Sequence, residues 1–368
     1  MIAADTLPSL PKLELPAGNV SVEVSIIDTT TNIVCPTNFL LQPSMEGYEY
    51  LNLPTHAYYI KHPSGKQILF DLGGRKDWWN SSPDTALILK TLVTSIDISK
   101  GIDEILREGD VDLASITSII WSHWHWDHTG DPSLFPPSTE LVVGAGFKKA
   151  FMPAYPTDPK AALLDSDFAG REVREIDFSV DRKQIGGFDA HDFFGDGSFY
   201  LLDTRGHAVG HMSALVRTTE GTFVFLGGDV CHHGGVFRPT MHKPMPEEIS
   251  AKVPLDKSRF ATPCPGAVFA ARHPDKENAH VKPYFGVSSG EHSWYVEPEI
   301  AQASVDKLEV FDAHENVFVA IAHDEGLGAV CNFFPNSTMN QWKEKGWKEA
   351  GAWAFLNTLP VRKRRVAD

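Results

Sequence analysis

Cysteine is scarce: Cys35, Cys231, Cys264 and Cys331 are the four in 368 residues, far apart and without a Cys-x-x-Cys pair. Neither a disulfide framework nor a thiolate zinc knuckle is indicated, and the four are expected as reduced thiols. Positive charge is also in deficit, with 33 Lys and Arg against 48 Asp and Glu for a formal charge of −15. A polyanion would bind against the field of the whole molecule, so nucleic acid is not an expected partner. No apolar run approaches the ~20 residues of a membrane span, and the N-terminus has no basic segment leading into an apolar one. A cytoplasmic protein without a membrane partner is the expectation. Internal repeats are missing as well, which removes solenoid folds.

What is present has globular proportions: 42% hydrophobic and 22% charged residues call for a packed core. Residues 1–18 read as a flexible, proline-rich lead-in, residues 19–358 as one domain, and residues 359–368, with Arg362-Lys363-Arg364-Arg365, as a basic tail. Alternation predicts a strand over Ser21–Ile27, and His56–Ile60 and Gln67–Gly74 a hairpin around Pro63-Ser64-Gly65-Lys66. Ile102, Ile105 and Leu106 have helical spacing and lead into a β-branched run, Ile116–Trp121, the helix-then-strand order of an α/β protein. Further strands are expected at Leu141–Gly144, Phe199–Leu202, Ala214–Val216, Phe223–Leu226 and Val317–Ala322. The stretch from about 232 to 310 is rich in proline, histidine and charge and reads as a long structureless insertion, a lid or substrate wall.

The densest chemistry lies in Ser122-His123-Trp124-His125-Trp126-Asp127-His128-Thr129-Gly130, directly after a predicted strand. Residues two apart in extended chain share a side, so His123 and His125 can face one ion. A turn would aim Asp127 and His128 at a second ion nearby. Imidazole and carboxylate ligands suit zinc or another first-row divalent metal. Trp124 and Trp126 alternate with these residues and are expected to pack beneath the metals.

The run His-x-His-x-Asp-His at a strand end resembles the hallmark of the metallo-β-lactamase superfamily, and the match is complete. Later segments are similar to the family's remaining motifs, in order. Thr204-Arg205-Gly206-His207-Ala208-Val209-Gly210-His211 resembles its ligand turn, Gly227-Gly228-Asp229 its bridging Gly-Asp, and His323 its last strand-end histidine. The resemblance implies an α/β fold of two packed mixed β-sheets flanked by helices, the αββα sandwich. It also implies two Zn(2+), one held by His123, His125 and His207, the other by Asp127, His128 and His323, with Asp229 between them. Asp71, in Asp71-Leu72-Gly73, would orient a ligand, and His211 would support the site or touch substrate.

The implied reaction is hydrolysis of a small cyclic ester, a lactone, by a hydroxide bridging two metals, with Asp127 passing a proton to the leaving atom. A cyclic amide such as a benzoxazolinone-type γ-lactam, or a thioester, is the alternative substrate. From another class comes a metal-stabilised binding scaffold without turnover. Lactonases of the lactonase-like, N-acyl homoserine lactonase-related branch often place a tyrosine three residues after the bridging aspartate, where this chain has His232. His232 and His233 are therefore candidate substrate contacts. Phe237, Phe269, Tyr284, Phe285, Trp294 and Tyr295 either wall an apolar pocket or form the insertion's own small core. Oligomeric state is not legible.

Overall fold

The computed structural model describes residues 11–360. The basic run at 362–365 and the first ten residues of the expected lead-in lie outside them. Residues 11–18 of that lead-in are held down rather than loose: Leu13 is buried, and the Pro16 carbonyl accepts a 2.6 Å hydrogen bond from Arg217.

Two sheets carry the fold. The first comprises β1 (Glu23–Pro36), β2 (Tyr50–Lys61), β3 (Gln67–Phe70), β4 (Ser95–Ile98), β5 (Ile116–Ile120), β6 (Glu140–Val143) and β7 (Val173–Glu175), in the order β4-β1-β2-β3-β5-β6-β7. The second comprises β8 (Lys183–Ile185), β9 (Phe188–Asp192), β10 (Phe199–Asp203), β11 (Met212–Thr219), β12 (Thr222–Leu226) and β13 (Val317–Ala320), in the order β13-β12-β11-β10-β9-β8. Both are mixed. β3, β5, β6 and β7 run parallel, as do β12 and β13, while the other pairings are antiparallel.

The period-two alternation of each strand divides its side chains between two cores. Val24, Ile26, Tyr58, Ile60, Phe70 and Ile120 of the first sheet meet Leu201, Ala214, Val216, Val224 and Leu226 of the second. The intervening residues face outward under helices. Ile27, Tyr59, Leu69 and Ile119 pack against Ile102, Ile105 and Leu106 of helix α2 (Ile102–Glu108). Phe223, Phe225, Val317 and Val319 pack against Val305, Leu308 and Phe311 of helix α5 (Pro298–Ala313). Helix, sheet, sheet, helix is the layering expected of the αββα sandwich.

Three further helices matter for the site: α1 (Pro83–Leu92), α3 (Trp126–Thr129) and α4 (Asp165–Phe168). Ser82 caps α1 by accepting from the Thr85 backbone, with Pro83 at its first position, a strong start signal.

The expected first strand begins two residues later than read and continues to Pro36. The larger correction concerns residues 232–310, which are not structureless. Their last part enters α5, whose buried Ala301, Ser304, Val305, Leu308, Phe311 and Asp312 follow helical spacing. Their start is tied to it through Arg238, whose guanidinium grips the buried Asp312 carboxylate with two hydrogen bonds of 2.6 and 2.8 Å. Pro, His and charge masked this helix because its apolar face is narrow. Of the six aromatics in question, Phe237, Phe269, Tyr284, Phe285 and Tyr295 are buried in the core beneath the second sheet, and Trp294 packs partly buried at its rim.

The start of α5 also fixes the chain entering His207. The backbone N–H groups of Val296 and Glu297 donate to the carbonyls of His207 and Gly206, at 3.1 and 2.9 Å. Gly206 has φ +121°, and a Cβ there would stand 2.2 Å from the Ala301 nitrogen. Only glycine fits. Gly206→Ala is expected to lower unfolding free energy by about 1–3 kcal/mol, read from the denaturant midpoint, as the loop is pushed off the helix.

Candidate metal centre

The C-terminal ends of β3, β5, β12 and β13 converge at one edge of the sandwich. Register sets this: Phe70 pairs with Ile120, and Leu226 with Ala320. Just beyond these ends stand Asp71, the segment His123–His128, Asp229 and His323. Backbone bonds lock the edge, between the sheets from Met212 N–H to the Ser122 carbonyl at 2.8 Å and within the second sheet from Ala322 N–H to the Gly228 carbonyl at 3.1 Å.

Seven side chains predicted from sequence are brought together in two groups whose potential ligand atoms lie within 4.8 Å of one another. His123, His125, His207 and Asp229 form one; Asp127, His128 and His323 form the other. Asp229 lies between them. Its Oδ2 is 3.5 Å from His123 Nε2 and 3.4 Å from His207 Nε2, while its Oδ1 is 3.2 Å from His128 Nε2 and 3.1 Å from His323 Nε2. Asp127 Oδ2 is 3.5 Å from His128 Nε2 and 3.6 Å from His323 Nε2. The turn that aims Asp127 and His128 inward is the start of α3.

Supporting residues fix the ring orientations. Asp71 Oδ2 lies 2.9 Å from His128 Nδ1, and its Oδ1 accepts from the Ser122 N–H at 2.7 Å. The Pro54 carbonyl sits 2.9 Å from His323 Nδ1. An acceptor at each Nδ1 assigns the proton there and leaves the Nε2 lone pairs facing Asp229. His211 acts on the Asp229 backbone instead: its Nε2 accepts from the Asp229 N–H at 2.9 Å and its Nδ1 meets the Thr204 carbonyl at 2.8 Å.

The donor set fits divalent cations on grounds internal to the site. His123 Nε2, His128 Nε2 and Asp229 Oδ1 are buried without a hydrogen-bond partner, an arrangement costing about 1–3 kcal/mol per group unless something else satisfies it. His207 Nε2 and His125 Nδ1 face each other at 2.9 Å, where two lone pairs can share one cation. Burial lowers the pKa of His123 and His207 well below the usual value and that of His125 to about 4, keeping these imidazoles neutral. Burial opposes charge at His128 and His323 too, but Asp229 and Asp127 outweigh it and raise both. The same histidines hold Asp127 and Asp229 below the carboxylate range against their burial. The thiols offer no rival nucleophile among the described residues: all four cysteines are buried, and burial pushes Cys35 up to about 12.

The two remaining candidates part company. His232 belongs to the site, with Nε2 3.1 Å from Asp229 Oδ2, Nδ1 2.8 Å from the Tyr295 hydroxyl, and its ring stacked on His323. His233 turns away, accepting from the Gly235 N–H and meeting the Thr358 hydroxyl among Tyr48, Phe285 and Phe355. It is a capping residue in the core, since a one-residue step along the chain reverses the side. The tryptophans also depart from expectation. Trp124 and Trp126 line a cavity of about 370 Å³ instead of packing beneath the cluster. His125, Asp127, His207, Asp229, His232 and His323 line that cavity as well, with Trp294 and with Ile88, Leu89 and Leu92 of α1. Sequence reading missed α1 as a wall, although Ser82-Pro83 announced the helix.

Residues 51–227 match the family model of the metallo-beta-lactamase superfamily. The gamma-lactamase FDB1 of Fusarium pseudograminearum (strain CS3096) is 43% identical over 368 residues, spanning 97% of this chain and 87% of that protein. The metallo-hydrolase mfmC of Annulohypoxylon moriforme is 39% identical over 364 residues, spanning 97% of this chain and 93% of its own. In fold, the chain is similar to a mutant of B. thuringiensis AiiA solved with N-decanoyl-L-homoserine at its active site. That likeness has a TM-score of 0.56 at 17% identity and covers 87% of this chain and 99% of the other.

Asp71→Asn tests the orienting bond. The amide oxygen can keep the Ser122 contact, but its NH2 then faces the His128 Nδ1 proton. Metal affinity, titrated against a competing chelator, should fall about 10–100-fold with the melting temperature of the metal-free protein little changed.

Proposed function

This chain belongs to the metallo-beta-lactamase superfamily and is a metallo-hydrolase, and from that premise we propose that it opens a small cyclic amide, a γ-lactam, at a dinuclear divalent-metal site. The observation that carries the dinuclear reading is Asp229, with one carboxylate oxygen turned to His123 and His207 and the other to His128 and His323. The donor chemistry suits zinc. In this reading His123, His125 and His207 hold one cation, Asp127, His128 and His323 the other, and Asp229 both.

When bound, such a pair supplies a water made nucleophilic near neutral pH and a Lewis acid for the substrate carbonyl. The chain's residues do the rest. Water oxygen joins the carbonyl carbon, the ring C–N bond breaks, and the Asp127 carboxylate, lining the cavity, carries a proton from the water to the departing nitrogen. His232, steadied by the Tyr295 hydroxyl, lines the cavity beside Asp229 and would contact the developing oxyanion or the new carboxylate once its Nε2 turns from Asp229 Oδ2. The largely apolar walls exclude bulk water and suit a compact ring system.

The sequence placed a cyclic ester first. Two observations favour the amide: the full-length similarity to a protein named gamma-lactamase, and His232 in the place where lactone-opening relatives often have tyrosine. Lactone opening is the second reading, since the same machinery attacks either carbonyl and the fold is shared with the AiiA structure.

Metal removal and substitution test the reading together. Chelation should abolish hydrolysis of a benzo-fused γ-lactam, and zinc readdition should restore it at a stoichiometry of about two per chain. Asp229→Ala should lose turnover and bind fewer than two. Undiminished hydrolysis in that variant, or a fully loaded protein inert towards lactams, lactones and thioesters alike, sinks the proposal. The second result would mark a metal-stabilised binding scaffold.

A further inference from the structure

An apolar cavity orients its occupant through its few polar groups, so each one outside the His/Asp cluster deserves an account. Most are already committed. Ser82 and Thr85 both donate to the Ala162 carbonyl at 2.9 Å, and the Arg75 guanidinium is spent on Asp77 and Asp131. Outside the His/Asp cluster, two buried polar atoms of described cavity-lining residues have no partner: Trp124 Nε1 and Asp167 Oδ1.

Asp167 is the stronger case, because an open carboxyl oxygen is harder to leave unpaired than an indole N–H. Only 5% of the residue is exposed. Its Oδ2 accepts from the Leu164 N–H at 3.1 Å, which caps α4 and fixes the carboxyl plane. The nearby cations do not reach Oδ1: Arg171 spends its terminal nitrogens on the carbonyls of Thr139, Pro132 and Phe135, and Arg75 is engaged as above. Burial with so little compensation pushes the carboxyl up to about 7. Nothing in α4 requires this second oxygen, since the cap uses one.

We propose that Asp167 is a specificity-determining binding residue, its free oxygen accepting a hydrogen bond from a hydroxyl or N–H group carried on the ring of the substrate. This rests on the lactam-opening reading and narrows it to ring systems bearing a donor in addition to the scissile group. The donor-bearing ring slots between α1 and the tryptophans, with the reacting carbonyl towards Asp229 and the donor towards Asp167.

Asp167→Asn is the informative variant. Its amide oxygen retains the Leu164 cap, and its NH2 replaces the acceptor with a donor. The probes are indanones carrying a hydroxyl or a methoxy group at each ring position, fused ring ketones that cannot be opened, titrated calorimetrically into the zinc-loaded protein. One hydroxyindanone should bind native protein about 10-fold or more tightly than its methoxy twin, and in Asp167→Asn the ratio should fall to about one with the melting temperature retained. A ratio unaltered by the substitution, no preference in the native protein, or no binding of any probe overturns the inference. Hydroxy and methoxy γ-lactams are run alongside for kcat/KM. Binding preference without turnover would overturn the lactam-opening reading and leave Asp167 its role.

Discussion

A single carboxylate, that of Asp229, organises the edge of this sandwich. Five imidazole nitrogens approach its two oxygens, three at Oδ2 and two at Oδ1, and the deepest of these atoms have no hydrogen-bond partner. Such an arrangement is unfavourable in a dry interior unless positive charge sits on both sides of it. The frame answers with rigidity. His211 holds the Asp229 backbone, Asp71 and Pro54 hold the rings that face its Oδ1, and strand pairing places all of them to within the reach of a side chain.

Much of this was legible in the sequence because the chemistry is local. His123, His125, Asp127 and His128 fall within six residues, and their spacing alone implies two directions of approach. His207, Asp229 and His323 are each a lone residue in an ordinary strand-end context, so family resemblance and not spacing picks them out. The αββα layering was likewise implied by resemblance. What the apolar runs do foretell is the strands themselves: Phe223–Leu226 marks β12, and in the fold Val224 and Leu226 turn to one core and Phe223 and Phe225 to the other.

The remainder was hidden because it depends on which distant segments become neighbours. Nothing near Trp124 or Trp126 tells whether an indole packs under a metal cluster or faces a cavity; the wall opposite belongs to α1, 32 to 43 residues earlier in the chain. His232 and His233 are adjacent and chemically identical, yet one meets Asp229 and the other Thr358. Asp167 looks in sequence like any third residue of a short helix, and only the cavity makes its second oxygen conspicuous. The stretch 232–310 misled for a related reason: its order comes from partners such as Arg238 with Asp312, which no local pattern announces.

The clamp between α5 and the Gly206–His207 loop orders events in time as well as space. A nascent polypeptide that has emerged from the ribosome only as far as Asp229 already carries six of the seven cluster side chains, but neither the helix that pins His207 nor the strand that delivers His323 exists yet. Until the last third of the chain is translated, any ion captured there meets an unclamped histidine and an incomplete second half. The seven side chains therefore come together only once β13 has paired beside β12.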